Sequence, residues 1–183
     1  YDILPCEKVT PESIATFLYT SGTTSSPKPA MISHKSLITV VSGLKQVFNF
    51  KNDDSHLSYL SLSYIFEKVI FSICLYESLT IGLYSGDIMT LKEDLQSFRP
   101  TIFASVPRLF VKFHESIKTN IDQLTGIKKI LLEKGIASKM SALKSNLTYT
   151  HTLYDKLVFN KIRGVFGGRV RLMATGGAPI SPA

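Results

Sequence analysis

A chain of 183 residues is long enough for one domain with a sizeable hydrophobic core, and 44% apolar with 19% charged residues is typical of a globular protein. No run approaches the roughly 20 apolar residues that span a bilayer, and two cysteines are too few for a disulfide framework or a zinc site. We therefore expect a globular protein of a reducing compartment. Because the sequence starts at Tyr1 and stops at Ala183, just after a strand-like run, we also expect part of a longer protein.

The net charge of +7 is unevenly distributed along the chain. Residues 1–117 carry 10 Lys and Arg against 11 Asp and Glu, a balance of −1, whereas residues 118–171 carry 11 against 3, a balance of +8. Such asymmetry predicts a basic face that meets phosphates or an anionic membrane surface. A solvated, lysine-rich helical surface is the competing interpretation.

The first half of the chain alternates between strand-like and helical patterns. The predicted strands are Ile14–Thr20, Ala30–His34, His56–Leu62 and Thr80–Ser85. A helix is predicted over Lys35–Phe48, with an apolar face of Leu37, Val40, Val41, Leu44 and Phe48. The segment Tyr64–Ser78 is apolar nearly all round, which predicts a buried helix.

The second half continues the alternation. Thr90 and Glu93 predict a capping box at the start of a short helix that ends at Arg99 and Pro100. Pro107 suits a helix start, and the helical pattern that follows breaks near Thr125. The remaining predictions are strands over Thr101–Val106 and Arg169–Thr175, helical structure to about Phe166, and a turn at Gly167 and Gly168.

Strands that alternate with helices predict an α/β fold with a mainly parallel sheet covered by helices. The lysine-rich stretch of about residues 111–166 is longer than one crossover helix. We expect it to be a helical insertion between two strands, within a single domain that covers residues 1–183.

In the segment YTSGTTSSPKPAMISH, residues 19–34, the stretch 21–28 places five hydroxyl side chains, a glycine and a lysine between two apolar runs. Backbone N–H groups in a tight turn bind anions, hydroxyls add donors, and Lys28 supplies a positive charge. The turn therefore predicts a polyphosphate site, although the Walker and dinucleotide-binding glycine patterns are both absent. A plain Ser- and Thr-rich surface loop is the alternative.

Four ordered segments carry a resemblance to a known family. The turn is similar to the [ST]-S-G-[ST]-T-G-x-P-K-G motif of the adenylate-forming (AMP-binding) superfamily. The other three segments resemble the long-chain acyl-CoA synthetases of that superfamily: YLSLSYIFEKV, RPTIFASVPRLFVKFHESI and YDKLVFNKIRGVFGGRVRLMATGGAPISP. The resemblance covers nearly the whole chain and implies part of the large N-terminal domain of such an enzyme.

The resemblance implies roles for individual residues. The residues expected to surround the β- and γ-phosphates of ATP are Thr20, Ser21, Gly22, Thr23, Thr24 and Lys28. Gly176, Gly177 and Ala178 are expected beside the adenine or the acyl-adenylate, since small residues let the backbone approach a ligand. Lys28 and Tyr64 are the candidate catalytic residues, Tyr64 standing where the family usually has a histidine beside the reacting carboxylate. Because the histidines are scattered, we expect no metal site built from them.

Three positions depart from the family pattern. Ser25 and Pro29 replace family glycines, and Tyr64 replaces a group that could titrate near neutral pH. A serine held at positive φ would cost roughly 1–2 kcal/mol, and Pro29 removes an N–H and biases Lys28 toward extended geometry. These changes bear on turnover more than on the fold.

The implied activity is the ATP-dependent conversion of long-chain fatty acids to acyl-CoA through an acyl-adenylate. ATP, Mg²⁺ and coenzyme A are the implied cofactors and co-substrates, and the fatty acid is the implied substrate. The C-terminal domain and other family parts lie beyond residue 183, so we expect this stretch to be inactive alone. The expected location is the cytoplasm or the cytoplasmic face of an intracellular membrane such as the endoplasmic reticulum. An anionic membrane surface is a candidate partner of the basic region, and no nucleic-acid partner is expected. The alternatives are a ligase for another carboxylic acid and a non-catalytic relative that binds nucleotide or lipid.

Overall fold

The computed structural model describes residues 8–20, 28–146 and 159–179. The chain divides into two compact units. The first consists of residues 1–54 and 60–81, and the second consists of residues 55–59 and 82–183.

The first unit contains an antiparallel hairpin and two helices. The hairpin pairs β1 (Ile14–Thr20) with β2 (Lys28–Ser33), and both strands were predicted. Helix α1 (His34–Val47) follows β2 directly, because the Ser33 hydroxyl accepts a hydrogen bond from the Ser36 N–H at 3.2 Å and caps the helix. Helix α2 (Ile65–Tyr76) packs against α1.

The predicted apolar faces of these helices need correction. On α1, Val41 is buried but Val40 is 47% exposed. On α2 the prediction of a helix buried all round is wrong: one side, with Ile70, Ile73 and Cys74, is buried, whereas Leu75 is 63% exposed. Successive residues of a helix are about 100° apart, so a buried face covers only part of the circumference, and Val40 and Leu75 lie outside it.

The main sheet has four strands in the order β4-β3-β5-β6. Its strands are β3 (Ser55–Ser58), β4 (Thr80–Leu83), β5 (Ile102–Ser105) and β6 (Leu172–Thr175). The β3–β5 and β5–β6 pairs are parallel, with Ile102 in register with His56 on one side and Leu172 on the other. The α/β architecture with a parallel sheet is thus confirmed, and β5 lies in its interior.

Alternating polar and apolar residues predict the strand over residues 56–62, but the burial of β3 does not alternate. The strand is shorter than predicted, and all four residues of β3 are buried, as are all four of β5. A parallel strand is covered on both faces, so alternation between buried and exposed side chains is lost.

Helix α3 (Leu91–Phe98) begins after Thr90, as predicted, but without the predicted capping box. The Thr90 hydroxyl instead donates to the Asp87 carbonyl at 3.0 Å and lies 2.8 Å from the Ser85 hydroxyl, so the preceding turn uses it. The helix ends at Arg99, which adopts a left-handed conformation with φ of 56° immediately before Pro100.

Among the described residues between β5 and β6 there are three helices: α4 (Pro107–Asp122), α5 (Ile127–Asn146) and α6 (Asn160–Gly164). Pro107 opens α4, and the predicted break falls between α4 and α5, where Gly126 has φ of 61°. The predicted turn at Gly167 and Gly168 is confirmed, both with positive φ. The helical insertion over about residues 111–166 stays a prediction, and residues 147–158 of it lie outside the described residues.

Candidate functional site

The hairpin brings two predicted phosphate-binding residues together. Thr20 is the last residue of β1 and pairs in register with Lys28, the first residue of β2. Lys28 is exposed. The predicted residues Ser21, Gly22, Thr23 and Thr24 lie on the connecting segment, residues 21–27, which is outside the described residues. The hairpin therefore places the exposed Lys28 cation where that segment rejoins β2.

Pro29 lies inside β2, opposite Tyr19. A proline cannot donate a hydrogen bond to the ladder and is tolerated in edge strands; each strand of a two-stranded sheet has a free edge. Lys28 has strand geometry, in agreement with the extended bias that a following proline imposes. The effect of Ser25 lies outside the described residues.

Tyr64 occupies the N-cap position of α2. Its side chain is 63% exposed and makes no capping hydrogen bond, while its backbone N–H donates to the Ser61 carbonyl at 2.9 Å. The phenol group is thus presented at the N-terminus of the helix, where backbone N–H groups and the helix dipole favour a negative charge. Such a position suits an anionic group on a ligand, and Tyr64 could donate its hydroxyl to one.

Sequence reasoning missed a tether between α2 and the hairpin. The Lys68 ammonium donates to the Thr16 hydroxyl at 2.9 Å in a partly buried setting. Lys68 lies four residues after Tyr64 on α2, and Thr16 lies on β1, which leads to Thr20. The contact fixes the start of α2 against the strand that carries the hydroxyl-rich turn. No periodic signal in the sequence distinguishes it from an ordinary surface lysine.

Polar groups also lie deep in the first unit. Glu67 and Asp54 are almost completely buried, and one Asp54 carboxylate oxygen accepts a hydrogen bond from the Lys51 N–H at 2.8 Å. Burial, together with smaller contributions from the Glu67 and Asp54 carboxylates, which repel a thiolate, raises the pKa of the Cys74 thiol to about 12.

Cys74 is expected to be chemically inert and to destabilise the fold at alkaline pH. Its folded pKa of about 12 lies above the ordinary value of 9.0, so the thiol ionises first in the unfolded chain and stability falls as pH rises above 9. In a Cys6→Ser background, we expect thiol modification at pH 8 to be at least about 100-fold slower in the native protein than in urea. We also expect about 1 kcal/mol less stability at pH 10 than at pH 8.

A Cys74→Ala variant provides the control for this pH dependence, because it lacks the thiol. Urea unfolding at pH 8 and pH 10 should give a smaller loss of stability for Cys74→Ala than for the parent. Equal losses in the two proteins would contradict the assignment.

The second unit contains the predicted glycine-rich segment. β5 and β6 end side by side at Ser105 and Thr175, and β3 ends directly before Tyr59. We call the end of the sheet formed by these residues the carboxyl edge. Gly176, Gly177 and Ala178 follow Thr175, and Gly177 has φ of 83° with no heavy atom within 4 Å of where a Cβ would lie. In open parallel sheets, ligands bind outside the carboxyl ends of the strands. The segment therefore offers backbone at a position suited to a ligand.

Within residues 8–20, 28–146 and 159–179, no group of three or more His, Cys, Asp or Glu side chains is arranged to hold a metal ion. The same ranges contain no helix with the length and apolar content needed to cross a bilayer. The basic region, residues 118–171, includes helix α5, whose exposed lysines include Lys129, Lys134 and Lys144. Exposed Ile130 and Ile136 on the same helix lie between these cations.

Comparison with known protein families and structures gives a consistent result. The model of a family described as AMP-binding enzyme matches residues 2–183. Curated relatives include long-chain-fatty-acid–CoA ligase 5 of Mus musculus, 38% identical over 93% of this chain and 25% of the relative, and the peroxisomal long chain acyl-CoA synthetase 7 of Arabidopsis thaliana, 41% identical over 94% and 24%. The chain thus spans about a quarter of the length of the curated relatives it matches.

Solved structures with a similar fold include the N-terminal domain of FACL13 from Mycobacterium tuberculosis. The match has a TM-score of 0.57 at 18% identity, and it covers 98% of this chain and 34% of the FACL13 chain. The adenylation domain of a carboxylate reductase from Mycobacterium chelonae has a TM-score of 0.58 at 22% identity over 94% of this chain and 24% of its own. At such identities the likeness concerns the fold alone.

Proposed function

Because this chain belongs to the AMP-binding enzyme family, we propose that it is part of an ATP-dependent long-chain fatty acid–CoA ligase. The observation that carries the proposal is the identity of 38–41% to curated long-chain ligases and synthetases over more than nine-tenths of this chain. The hairpin that places Lys28 beside Thr20 supports it.

The proposed reaction has two steps. A fatty carboxylate oxygen attacks the α-phosphorus of ATP, the bond to the bridging oxygen breaks, and acyl-adenylate and pyrophosphate form. The thiol of coenzyme A then loses its proton and attacks the acyl carbon, which releases AMP. Because the first step brings two anions together, cations must offset both their repulsion and the developing charge.

In this proposal Lys28 attracts the β- and γ-phosphates and stabilises the departing pyrophosphate. Residues 20–24 add hydroxyl and backbone donors, and Tyr64 donates its hydroxyl to the reacting carboxylate or phosphate. Residues 176–178 form a backbone wall for the adenine or the acyl-adenylate. Mg²⁺ belongs to the proposal as a partner of the ATP phosphates, but the described residues offer no cluster of ligands for it, so no step is assigned to it.

Lys28→Ala in the full-length protein is expected to lower kcat/KM for ATP by about 100-fold, the usual order for removing one preorganised electrostatic partner. Lys28→Arg should retain more activity because it keeps the charge. The measurement is ATP-dependent acyl-CoA formation at varied ATP. Lys35→Ala, an exposed position on α1 with the same change in net charge, is the matched control. Equal losses in Lys28→Ala and Lys35→Ala would contradict the role of Lys28.

This stretch alone is expected to form no acyl-CoA, because it spans only about a quarter of its relatives. The full-length protein is the positive control. Robust turnover by the 183 residues alone would contradict this expectation. Competition between fatty acids of different chain length in the same assay would test the long-chain assignment against a ligase for another carboxylic acid.

The departures from the family pattern favour a second candidate, a non-catalytic relative that binds nucleotide or lipid. Pro29 removes an N–H within β2, and Tyr64 stands exposed in place of the usual histidine. The double change Ser25→Gly with Pro29→Gly in the full-length protein should raise activity strongly if this candidate is right. High activity in the unaltered protein, unchanged by the double change, would contradict it.

We also propose that the basic region contacts an anionic membrane surface, which would place the protein at the cytoplasmic face of an intracellular membrane. Each cation near such a surface contributes about 1 kcal/mol. Changing Lys129, Lys134 and Lys144 to Glu should lower binding of the full-length protein to anionic vesicles at least 10-fold, measured by flotation. The same change at Lys35, Lys51 and Lys92 is the charge-matched control, because these residues are exposed outside the basic region. Equal binding to neutral and anionic vesicles would contradict the proposal.

A further inference from the structure

The carboxyl edge contains a buried pair of hydroxyl groups. The Tyr59 hydroxyl lies 2.6 Å from Ser105 Oγ, and both side chains are buried, Tyr59 at 5% and Ser105 at 0% exposure. Ser105 Oγ also lies 3.4 Å from the Val106 carbonyl, to which it can donate, and either hydroxyl can donate in the contact between Tyr59 and Ser105. The contact joins the ends of β3 and β5, two neighbouring parallel strands.

The Tyr59 ring is held in place by aromatic neighbours. It stacks on Phe103 with ring centroids 6.1 Å apart and meets Tyr84 edge to face at 6.5 Å. A ring fixed in this way gives its hydroxyl a defined position. The hydrogen bond to Ser105 therefore sets where the end of β5 lies relative to β3.

The position of the β5 end is passed on to β6. Ala104 pairs with Ala174 and Ser105 pairs with Thr175, the residue directly before Gly176. Gly177 has φ of 83°, and among the described residues nothing beyond its chain neighbours lies within 4 Å of where a Cβ would be. Glycine has little conformational restraint of its own, so neighbouring structure must fix the path of this backbone.

We propose that Tyr59 and Ser105 are positioning residues for nucleotide binding. Their hydrogen bond fixes the carboxyl end of β5 and, through the β5–β6 pairing, fixes the backbone of residues 175–178 on which an adenine or adenylate lies. Neither residue touches the ligand. The inference rests on the proposed function of residues 176–178 and adds two residues that none of the motifs assigned to the site.

The same two strands offer a matched control at their opposite ends. The Thr101 hydroxyl accepts a hydrogen bond from the Ser55 N–H at 2.9 Å, and both residues are buried. Like the Tyr59–Ser105 contact, this bond joins β3 to β5. It lies where the two strands begin, away from the residues that follow β6. A Thr101→Val variant removes an equivalent link without touching the carboxyl edge.

The experiment compares Tyr59→Phe, Ser105→Ala, their double variant and Thr101→Val in the full-length protein. Tyr59→Phe removes one oxygen and keeps the ring. Amide hydrogen exchange followed by mass spectrometry is expected to quicken at least 10-fold at residues 175–178 in Tyr59→Phe and Ser105→Ala. The dissociation constant for AMP is expected to rise 5- to 20-fold in both. In Thr101→Val the exchange rate and the dissociation constant should both stay within twofold of the parent. This should hold even if the melting temperature of Thr101→Val falls as much as that of Tyr59→Phe or Ser105→Ala.

The double variant should weaken AMP binding by less than the product of the single effects, because the two residues act through one hydrogen bond. Three outcomes would overturn the inference: exchange and AMP affinity that change no more than in Thr101→Val, faster exchange without weaker AMP binding, or fully multiplicative single effects. If the unaltered protein binds no AMP, the proposed function fails and this inference fails with it. If it binds AMP and any of those three outcomes is found, only the inference fails.

Discussion

Replacing Gly167 by alanine is expected to lower the free energy of unfolding by about 2–5 kcal/mol. Gly167 has φ of 81°, which costs an L-residue roughly 1–2 kcal/mol. An added Cβ would also overlap the Leu95 carbonyl oxygen and lie 2.8 Å from the Arg99 Cα. These are backbone atoms at the end of α3, so relief requires moving the helix, with a further cost of about 1–3 kcal/mol. Urea unfolding followed by circular dichroism measures the loss.

Gly168 provides a control that separates the two causes. It has φ of 79°, almost the same as Gly167, but no heavy atom lies within 4 Å of where its Cβ would be. Gly168→Ala should therefore cost only the conformational part, about 1–2 kcal/mol. Equal losses at the two positions would show that the close approach of Gly167 to α3 does not contribute.

Truncating Phe103 to alanine is expected to cost about 3–5 kcal/mol, the usual range for a fully buried aromatic side chain. Phe103 lies on β5 at 0% exposure. Its ring centroid lies 5.4 Å from that of Phe166, 5.6 Å from Phe110 and 6.0 Å from Phe113. Alanine would leave a cavity at the point where α4 and the segment after α6 meet the sheet.

Phe103→Leu is the informative companion. It keeps most of the buried volume but removes the aromatic contacts, so we expect roughly 1–2 kcal/mol of destabilisation. Unfolding in urea at constant pH compares both variants with the parent. A loss below about 1 kcal/mol for Phe103→Ala would contradict the central place of this side chain in the core.

Several elements could be predicted from the sequence because local residues determine them. β1 occupies the predicted residues 14–20, and Pro107 opens α4 as expected from its fixed φ and missing N–H. Gly126 marks the break between α4 and α5 with a left-handed conformation that glycine adopts readily. In each case the chemistry of one or two residues decides the outcome.

Tertiary context decided the elements for which the prediction was wrong. Residues 55–58 are buried on both faces of the sheet, so an alternating pattern carried no information there. The Thr90 hydroxyl is used by the preceding turn, through Asp87 and Ser85, and not by the helix it precedes. Such competition between partners depends on how the turn folds and is not visible in residue spacing.

The candidate site was predictable in a similar, partial way. Motif resemblance selected Lys28, Tyr64 and residues 176–178, and their roles stay predictions. It did not select Lys68, Tyr59 or Ser105, whose contacts join residues 46 to 52 positions apart in sequence. All three residues lie inside the segments that resemble the family, but their contacts arise from the topology, which residue spacing does not reveal.

The parallel pairing of β5 with β6 has a consequence for how the protein is made. Ile102 pairs with Leu172, a residue synthesised 70 positions later. At about 5–20 residues per second, a ribosome needs roughly 4–14 s to cover that distance. During this interval Ile102 and Phe103, both almost completely buried in the folded protein, have no partner strand on one side. The nascent chain is therefore expected to need shielding by a chaperone, or by its own α4, until β6 emerges.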